Sequence, residues 1–548
     1  MAHDIKNKVV FITGAATGIG ALVVKLLLNE GAKFVAALDV NENAGLSLQE
    51  DLNSKYGTNH VKFIKCDVTD EKQLFGAYKT VLDENGSIDV VINNAGIMND
   101  SINVYKKAIE VNVTALVTST LKALEMMRKD MGGKGGTIIN ISSIAALHQD
   151  TLLPVYFGTK SAVLQFSNCL GLPGYYTRTG VRIITVCFGA TDTGLLSTEK
   201  LGSFDKENER ELKESLRAYK LQSPESAARG VIDAYKQGES GSSWLATHDE
   251  PVKDITTTVK KAYDLLSAHV LTDRSSFRFK RMFEVKDKVV LITGGAAGIG
   301  ASVVRALLDE GIKHITILDI SEENGVAFQK ELNRKYGNKA LFMKCDISQE
   351  DQLLNAFETV AKEQGYIDVV INNAGVFNDK VYAKEVDINL TALIRSTFQA
   401  WELMRKDAGG RGGTVINVAS VAAICTVPVV PVYSATKSAV VKFSNTLGDE
   451  IHYSRTGVRI IALCFGVTIT SLIDPEAIHS FDKVIEKQIP GVLGNFKSQT
   501  VEQAARGLVE VYKQGDSGSV WIVTSGKPAQ DITEKYVQSM EIFNDVVL

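Results

Sequence analysis

The chain has 548 residues, of which 45% are hydrophobic and 23% charged, and its formal net charge is −4. This length suggests several domains, and the near-average globular composition argues against long disordered tracts. The weak negative charge gives no reason to expect a nucleic-acid partner. No apolar run reaches the roughly 18 residues that a membrane span needs, and neither end shows a targeting signal, so we expect a cytoplasmic protein.

Six cysteines are too few for a disulfide framework in a chain of this length. Four of them lie in matching triplets, KCD at Cys66 and Cys345 and CFG at Cys187 and Cys464. Neither pair has the spacing of metal ligands. We therefore predict cysteines buried in strands and no metal site.

The chain repeats itself at a long period, which predicts two whole domains in tandem. The domains are predicted at residues 1–261 and 285–548, joined by a linker at 262–284. The linker contains SSFRFKRM, which we interpret as a solvated connection rather than a membrane or nucleic-acid contact. The matching segments are KVVFITGAATGIGA (8–21) with KVVLITGGAAGIGA (288–301), IDVVINNAG (88–96 and 367–375), and PVYFGTK (154–160) with PVYSATK (431–437).

Within each copy, short Val/Ile runs alternate with longer amphipathic stretches. The runs read as strands buried on both faces, and the stretches between them read as helices that end near Gly. Such units form a parallel sheet by right-handed crossovers. The sequence therefore predicts an α/β fold with two tandem, Rossmann-like, doubly wound sheets, each with helices on both faces. In the first copy the strands are VVFIT, FVAALDV, VKFIKCDV, IDVVINN, GTIINIS and VRIITVCFG.

A glycine-rich loop follows the first predicted strand of each copy and opens a helix. Glycines permit a tight turn there and let backbone N–H groups approach a pyrophosphate at the helix N-terminus. The loops are TGAATGIG (13–20) and TGGAAGIG (293–300). The residues predicted to bind the cofactor are Gly14, Gly18, Ile19 and Gly20 in the first copy and Gly294, Gly298, Ile299 and Gly300 in the second.

An acid stands at the end of the next predicted strand, at Asp39 and Asp319, each 19 residues beyond the last loop glycine. A carboxylate at this place accepts bonds from ribose hydroxyls and repels a 2′-phosphate, so NAD is favoured over NADP. The alternatives are an acid that only caps the strand end and an NADP-linked carbonyl reductase.

The two heptapeptides place a Tyr four residues before a Lys, at Tyr156 and Lys160 and again at Tyr433 and Lys437. On a helix these side chains share a face. A phenol ionises near pH 10, and lowering its pKa by about three units needs about 4 kcal/mol of phenolate stabilisation. We expect the neighbouring ammonium, together with an oxidised nicotinamide, to supply it.

A Ser stands thirteen residues before each Tyr, at Ser143 and Ser420, where a predicted strand ends. Its hydroxyl can hold a substrate oxygen beside the phenol. Further upstream, Asn112 and Asn389 lie in the helical stretch after NNAG.

These motifs, in this order and spacing, resemble the short-chain dehydrogenase/reductase family over essentially the whole chain. Among its members they look most like the insect-type alcohol dehydrogenases and their 15-hydroxyprostaglandin dehydrogenase-like relatives. The resemblance implies a Tyr acid/base, a Lys that holds the nicotinamide ribose, a Ser that orients the substrate and an Asn that keeps a water on the proton path. It also implies cofactor contacts at Asp67 and Asp346 by the adenine, at Asn94, Gly96, Asn373 and Gly375 in the cleft, and at Gly189, Thr191, Gly466 and Thr468 by the nicotinamide.

Two departures distinguish the copies. After the first Tyr/Lys helix the chain reads LGLPGYY, and an interior Pro173 predicts a shortened or distorted helix and weaker activity in the first copy. The alternative is a break already in the last turn, without consequence. The segments that form the substrate lid in relatives also differ, charged at 194–216 and more apolar at 471–493.

We interpret the chain as an NAD-dependent oxidoreductase that interconverts a secondary alcohol and a ketone, a small-molecule substrate, by hydride transfer. The rival interpretation is a storage or binding protein that kept the fold without catalysis. Because relatives pair through the Tyr/Lys helices, we also expect the two copies to form an internal pseudo-dimer, which analytical ultracentrifugation tests.

Overall fold

A computed structural model describes residues 3–215, 220–271, 282–474 and 478–547. The chain divides into two compact units, one comprising Met1–Ala262 with Met540–Leu548 and the other Tyr263–Ser539. A helix runs through the start of the predicted linker as far as Leu271. Most of the SSFRFKRM stretch falls at 272–281, outside the described residues.

The first unit alternates strands and helices through most of its length. Its strands are β1 (Val9–Thr13), β2 (Phe34–Asp39), β3 (Val61–Lys65), β4 (Val90–Asn93), β5 (Gly136–Ser143), β6 (Val181–Phe188), β7 (Ser243–Ala246) and β8 (Lys253–Asp254). Its helices are α1 (Gly18–Asn29), α2 (Glu42–Tyr56), α3 (Glu71–Asn85), α4 (Tyr105–Ile109), α5 (Leu116–Met127), α6 (Pro154–Leu170), α7 (Pro173–Thr179), α8 (Lys206–Ser215), α9 (Pro224–Gln237) and α10 (Thr256–Leu271).

The second unit repeats this sequence of elements. Its strands are β9 (Val289–Thr293), β10 (His314–Asp319), β11 (Ala340–Lys344), β12 (Val369–Asn372), β13 (Gly413–Ser420), β14 (Val458–Phe465), β15 (Val520–Val523) and β16 (Gln530–Asp531). Its helices are α11 (Gly298–Asp309), α12 (Glu322–Tyr336), α13 (Glu350–Gln364), α14 (Tyr382–Val386), α15 (Leu393–Met404), α16 (Pro431–Leu447), α17 (Glu450–Thr456), α18 (Lys483–Glu486), α19 (Ile489–Gly494), α20 (Val501–Gln514) and most of α21 (Thr533–Glu541). The last helix, α22 (Asn544–Val547), belongs to the first unit, and α10 passes into the second unit at Tyr263.

Each unit holds one 8-stranded sheet, in the order β3-β2-β1-β4-β5-β6-β7-β8 and β11-β10-β9-β12-β13-β14-β15-β16. All neighbouring strands are parallel except the short last one of each sheet, which pairs antiparallel. The central strands are buried throughout, as continuous Val/Ile runs require when helices cover both faces. The predicted α/β, doubly wound fold is confirmed.

The strand order reverses at β1, which pairs with β2 on one side and β4 on the other. In open α/β sheets a ligand crevice opens at such a point, beyond the carboxyl ends of the strands. The glycine loop leaves β1 at this edge, and the NNAG segment leaves β4 beside it. The same arrangement recurs at β9 and β12.

The helix predicted to be distorted by Pro173 is intact, so that prediction is wrong. Helices α6 and α16 both have 17 residues and end at equivalent positions. In both units a separate short helix follows, and Pro173 begins α7 where Glu450 begins α17. Proline is well accepted at the first position of a helix because its missing N–H would have no partner there.

Three further findings concern the cysteines, membrane spans and metal sites. All six cysteines are buried, as predicted, but Cys187 and Cys464 alone lie within strands. None of the helices in the described residues combines the length and apolarity needed to cross a bilayer. Within the same residues, no group of three or more His, Cys, Asp or Glu side chains is placed to hold a metal ion.

Candidate active site

The glycine loop of the first unit brings bare backbone to the end of β1. Gly14 has φ 64°, and a Cβ there would lie 2.8 Å from the Cα of Ala95. A Cβ on Gly20 would lie 2.1 Å from the carbonyl oxygen of Gly14. Thr17 precedes α1 without a side-chain capping bond, so the first N–H groups of the helix remain available to an anionic ligand.

The second loop has the same construction. Gly294 has φ 64°, and a Cβ on Gly300 would lie 2.0 Å from the Gly294 carbonyl oxygen. Ala297, which cannot cap with its side chain, precedes α11. Ile19 and Ile299 are partly buried and pack against the hydrophobic cores.

The strand-end acids are tied to these loops. Asp39 accepts one bond from the N–H of Ala16 and one from the N–H of Asn41, both at 3.0 Å. Asp319 repeats this with Ala296 and Ser321, again at 3.0 Å. The carboxylates therefore stand at the edge of the cleft, where a ribose would lie beside a pyrophosphate bound by the loop.

The CDV and CDI acids form the neighbouring wall. Asp67 accepts bonds from the N–H and hydroxyl of Thr69 and from Lys107 Nζ at 3.2 Å. Partial burial opposes ionisation of Asp67, but these hydrogen bonds outweigh it and lower its pKa. Asp346 accepts the equivalent bonds from Ser348.

The NNAG segment closes the cleft from the β4 side. Asn94 Nδ2 donates to the carbonyl oxygens of Thr13 at 3.0 Å and Gly14 at 2.9 Å, which joins NNAG to the glycine loop. A Cβ on Gly96 would lie 3.7 Å from Lys160 Nζ. Asn373 makes the corresponding bonds to β9 and its loop, and Gly375 lies beside Lys437 Nζ in the same way.

The predicted catalytic side chains of the first unit come together at the ends of β5 and α6. Tyr156, Lys160 and Ser143 are each more than nine-tenths buried. The Ser143 hydroxyl interacts with the Tyr156 phenol and opposes the rise in its pKa. It donates to the Phe188 carbonyl oxygen at 3.3 Å and accepts a bond from the N–H of Ala145. Tyr433, Lys437 and Ser420 meet in the same way, but Lys437 is buried whereas Tyr433 and Ser420 are half-buried.

Each Asn lies on a π-helical stretch, Glu110–Ala115 or Asp387–Ala392, between two α-helices. Such a bulge displaces one turn and often marks a functional site. Asn112 accepts a bond from the N–H of Ile97 and donates one to its carbonyl oxygen, both at 2.8 Å, and also donates to Thr159. Asn389 makes the same set of bonds, so each amide fixes the chain after NNAG against the Tyr/Lys helix.

In the chain alone, burial dominates the electrostatics of the Tyr/Lys pair. Lys160 Nζ lies 5.8 Å from the centre of the Tyr156 ring and donates to the Ile141 carbonyl oxygen at 3.2 Å. Burial raises the pKa of Tyr156 to about 12 and lowers the pKa of Lys160 to about 8. In the chain alone, desolvation is therefore the largest cause of the shift for both groups. The predicted lowering of the phenol pKa also invokes an oxidised nicotinamide and stays a prediction.

The second pair behaves alike. Lys437 Nζ lies 5.7 Å from the centre of the Tyr433 ring and donates to the Val418 carbonyl oxygen at 3.1 Å. Burial raises the pKa of Tyr433 and lowers the pKa of Lys437 to about 8. The chain's own residues therefore hold both phenols protonated, and a lower phenol pKa requires additional positive charge near the site.

Beyond β6 and β14 the predicted nicotinamide residues form a compact turn. A Cβ on Gly189 would lie 2.1 Å from Thr247 Oγ1, so only glycine fits there. Thr191 donates to the Gly189 carbonyl oxygen at 2.9 Å and accepts from Gln222 Nε2 at 2.9 Å. Gly466 and Thr468 take the same places in the second unit, with Gln499 as the amide donor.

Sequence reasoning missed Gln222 and Gln499, and it also missed a buried acid beside each Tyr. Asp100 accepts bonds from the backbone N–H groups of Val155 and Tyr156, at 2.6 and 3.0 Å. Burial raises the pKa of Asp100 to about 7, against the pull of those two donors. The signal was available, because NNAGIMND and NNAGVFND carry this acid at the same place in both copies.

Apolar side chains surround the Tyr156 ring and its approach. They come from the segment after NNAG, from the start of α6 and from the lid segment that includes α8. Such a wall suits an apolar substrate portion and keeps water from the phenol. The members of this cluster are Met98, Ala145, Leu152, Leu153, Tyr156, Phe157, Leu201 and Leu212, with Leu196 packed against it.

Comparisons with known proteins agree with this architecture. The short chain dehydrogenase family matches the chain twice, at residues 8–202 and 288–477. The chain therefore belongs to that family, as its motifs predicted.

Individual relatives match about one unit each. The chain is 34% identical over 232 residues to a 15-hydroxyprostaglandin dehydrogenase (NAD(+)) of Macaca fascicularis, which covers 42% of this chain and 86% of that protein. It is 33% identical over 244 residues to alcohol dehydrogenase 1 of Ceratitis cosyra, with 44% and 93% covered. The C-domain of a bacterial malonyl-CoA reductase, solved with NADP, shares the fold at a TM-score of 0.64 and 13% identity, with 93% and 96% covered.

Proposed function

We propose that each unit is an NAD-dependent dehydrogenase that interconverts a secondary alcohol and a ketone. The observation that supports this most directly is the meeting of Ser143, Tyr156 and Lys160 beside Gly96, with an equivalent group in the second unit. The relatives' names, which specify a hydroxyprostaglandin or alcohol dehydrogenase activity, agree with this reaction class.

The cofactor supplies the hydride acceptor for alcohol oxidation. The chain's own residues hold the substrate and move the proton. Ser143, beside Tyr156, positions the substrate oxygen next to the phenol, and Tyr156 exchanges a proton with that oxygen. Lys160, with its lowered pKa, sits beside Gly96 as the cation that favours the deprotonated phenol once the nicotinamide charge is added.

NAD is proposed over NADP because Asp39 and Asp319 stand where a 2′-phosphate would lie. Each carboxylate is held in place by a backbone N–H of the glycine loop. The backbone of the loop, kept bare at Gly14 and Gly20, provides the cradle for a pyrophosphate.

The apolar cluster around Tyr156 favours a secondary alcohol with a hydrocarbon portion in the first unit. The charged part of the lid, α8, carries Leu212 into this cluster and turns its Glu and Lys residues outward. Which alcohol is the substrate is to be determined by assaying a panel of candidates.

The test measures NADH formation over a panel of secondary alcohols, sterols and prostanoids with Tyr156→Phe, Tyr433→Phe and the double variant. We expect each single variant to keep the turnover of the other unit and the double variant to lose at least a hundredfold, as for removal of a general base. Phenylalanine keeps the ring and removes only the hydroxyl, so packing is matched.

Calorimetric titration with NAD separates catalysis from binding. Two bound NAD per chain with no turnover of any alcohol would favour the rival interpretation, a binding protein with a dehydrogenase fold. Full activity in the double variant would remove Tyr156 and Tyr433 as the acid/base groups.

A further inference from the structure

The second unit holds a carboxyl that the first lacks, directly behind its Tyr. Glu385 on α14 and Asp379 in the preceding turn are both fully buried. Asp379 accepts bonds from the backbone N–H groups of Val432 at 2.8 Å and Tyr433 at 3.1 Å, and it is hydrogen-bonded to Glu385. The pair is therefore attached to the first turn of the helix that carries Tyr433.

Glu385 has an incomplete set of partners. Its Oε1 accepts a bond from the N–H of Asn378 at 2.9 Å, whereas its buried Oε2 finds no hydrogen-bond donor among the described residues. Two buried carboxyls in contact cannot both ionise without a large penalty, so the pair holds a proton between them. Burial raises the pKa of Asp379 to about 6, and burial together with repulsion by Asp379 raises the pKa of Glu385.

The charged groups that act on Glu385 lie on the catalytic helix and in the turn before α14. Lys437, on α16, attracts its charge, and Asp379, in the turn before α14, repels it. In return, Glu385 disfavours ionisation of Tyr433. Among the causes that raise the pKa of this phenol, Glu385 is second only to burial. Glu385 therefore acts on both Tyr433 and Lys437 through its charge.

The first unit provides a natural comparison. Helices α4 and α14 occupy equivalent places, and Ala108 stands where Glu385 stands. Asp100 is present there alone, bonded to Val155 and Tyr156 as Asp379 is bonded to α16. Behind the Tyr, the second site therefore has one buried carboxyl that the first lacks.

We propose that Glu385 is a positioning residue for the proton of Tyr433, which it keeps on the phenol so that the second unit favours ketone reduction over a wider pH range than the first. The inference rests on the proposed function. In this direction the carbonyl carbon takes a hydride from NADH and its oxygen takes the phenol proton, which yields the secondary alcohol and NAD. Tyr433 then regains a proton from solvent.

The test isolates the second unit in the full chain with Tyr156→Phe and compares it with Tyr156→Phe/Glu385→Ala, which copies the natural Ala108. We measure kcat/KM for NADH-dependent ketone reduction against pH. Above the pH at which the Asp379–Glu385 pair loses its shared proton, removal of the Glu385 charge should move the alkaline limb about one pH unit lower. Glu385→Gln keeps the shape of the side chain and removes its charge, so it separates an effect of the charge from a folding defect in Glu385→Ala. If the alkaline limbs of the kcat/KM profiles superimpose in all these variants, the proposal is overturned.

A second readout needs neither cofactor nor turnover. The NMR signal of the oxygen-bearing ring carbon in isotope-labelled Tyr433, assigned by its loss in Tyr433→Phe, reports ionisation of the phenol directly. We expect the same downward shift in Glu385→Ala, and an upward shift for Tyr156 in Ala108→Glu. An unchanged phenol titration, or a uniform loss of rate without a pH shift, means that Glu385 serves only packing.

The two readouts separate this proposal from the one on which it rests. If Tyr156→Phe shows no turnover at any pH, the proposed dehydrogenase activity of the second unit fails. The phenol titration then still decides whether Glu385 holds the proton of Tyr433.

Discussion

The two units share one framework but differ in the side chains that approach the catalytic Tyr. In both, an Asp carboxylate accepts bonds from the first turn of the Tyr/Lys helix. In both, an Asn amide also joins the chain after NNAG to that helix. Around Tyr156 stands an apolar group that includes Met98, whereas Tyr433 meets the edge of Phe377 at 4.4 Å between ring centres. The backbone of the site is thus common, and its selectivity and proton chemistry are set separately in each unit.

The largest expected effect comes from adding a side chain to the glycine loop of one unit, where the cofactor is proposed to bind. In Gly20→Val or Gly300→Val the added side chain would meet a carbonyl oxygen within 2.1 Å of its Cβ. We expect each variant to lose one of two NAD sites, with affinity at that site reduced at least a hundredfold, as for other losses of transition-state or cofactor contacts. Calorimetric stoichiometry of one instead of two NAD per chain checks this.

The control is Gly76→Ala on α3, where an added Cβ has no neighbour within 4 Å. It should keep both NAD sites and gain stability of about 0.5–1 kcal/mol from the better helix former. Retention of two tight sites in Gly20→Val would show that the loop is not the cofactor cradle.

The pH dependence of stability gives the next largest effect. Asp100 has a pKa of about 7 in the folded chain against 3.8 for a free carboxyl, so the folded state binds its proton more tightly. Stability is then greatest at low pH and is lost as the pH rises through about 7, by an amount on the order of 4 kcal/mol at most. Calorimetry between pH 5 and pH 8 should show this slope in the transition of the first unit for wild type and not for Asp100→Asn.

The second unit should lose more stability over the same range, since Asp379 and Glu385 both have raised pKa values. Glu385→Ala should reduce that loss without touching the transition of the first unit. Equal slopes in wild type and both variants would contradict the buried, protonated state of these acids.

The ring of Phe377 provides a smaller, selective effect. In a Tyr156→Phe background, Phe377→Met should raise kcat/KM for bulky secondary alcohols about tenfold, because a contact of this size is worth about 1–3 kcal/mol. The reverse exchange, Met98→Phe in a Tyr433→Phe background, should lower it by a similar factor. A change equal for small and bulky alcohols would assign Phe377 to packing on Tyr433 alone.

The smallest effect concerns the helices after α6 and α16. Asp449 caps α17 by accepting from the N–H of Ile451 at 3.1 Å, whereas Leu172 before α7 makes no such bond. Asp449→Ala should destabilise the second unit by about 1 kcal/mol, and Leu172→Asp should stabilise the first by a similar amount. Thermal unfolding checks both, and activity should stay unchanged.

Much of the site was predictable because its residues recur at fixed positions in both copies. The glycine loops, the strand-end acids and the Ser, Tyr, Lys and Asn side chains lie where strand ends and a shared helix face place them. Spacing alone did not reveal how far each group is desolvated, and burial raises the pKa of Tyr156 in the chain alone. The predicted lowering, which also invokes an oxidised nicotinamide, stays a prediction. The roles of these residues and the internal pseudo-dimer stay predictions.

The sequence by itself determined the duplication, the α/β order of the elements and the family, since these follow from local patterns that each copy states independently. Only the tertiary structure decided that Lys160 bonds a backbone carbonyl, that Pro173 begins a new helix, and that Glu385 lies against Asp379 behind Tyr433. These outcomes depend on packing between segments distant in the chain, where burial rather than residue type sets the charge of each group.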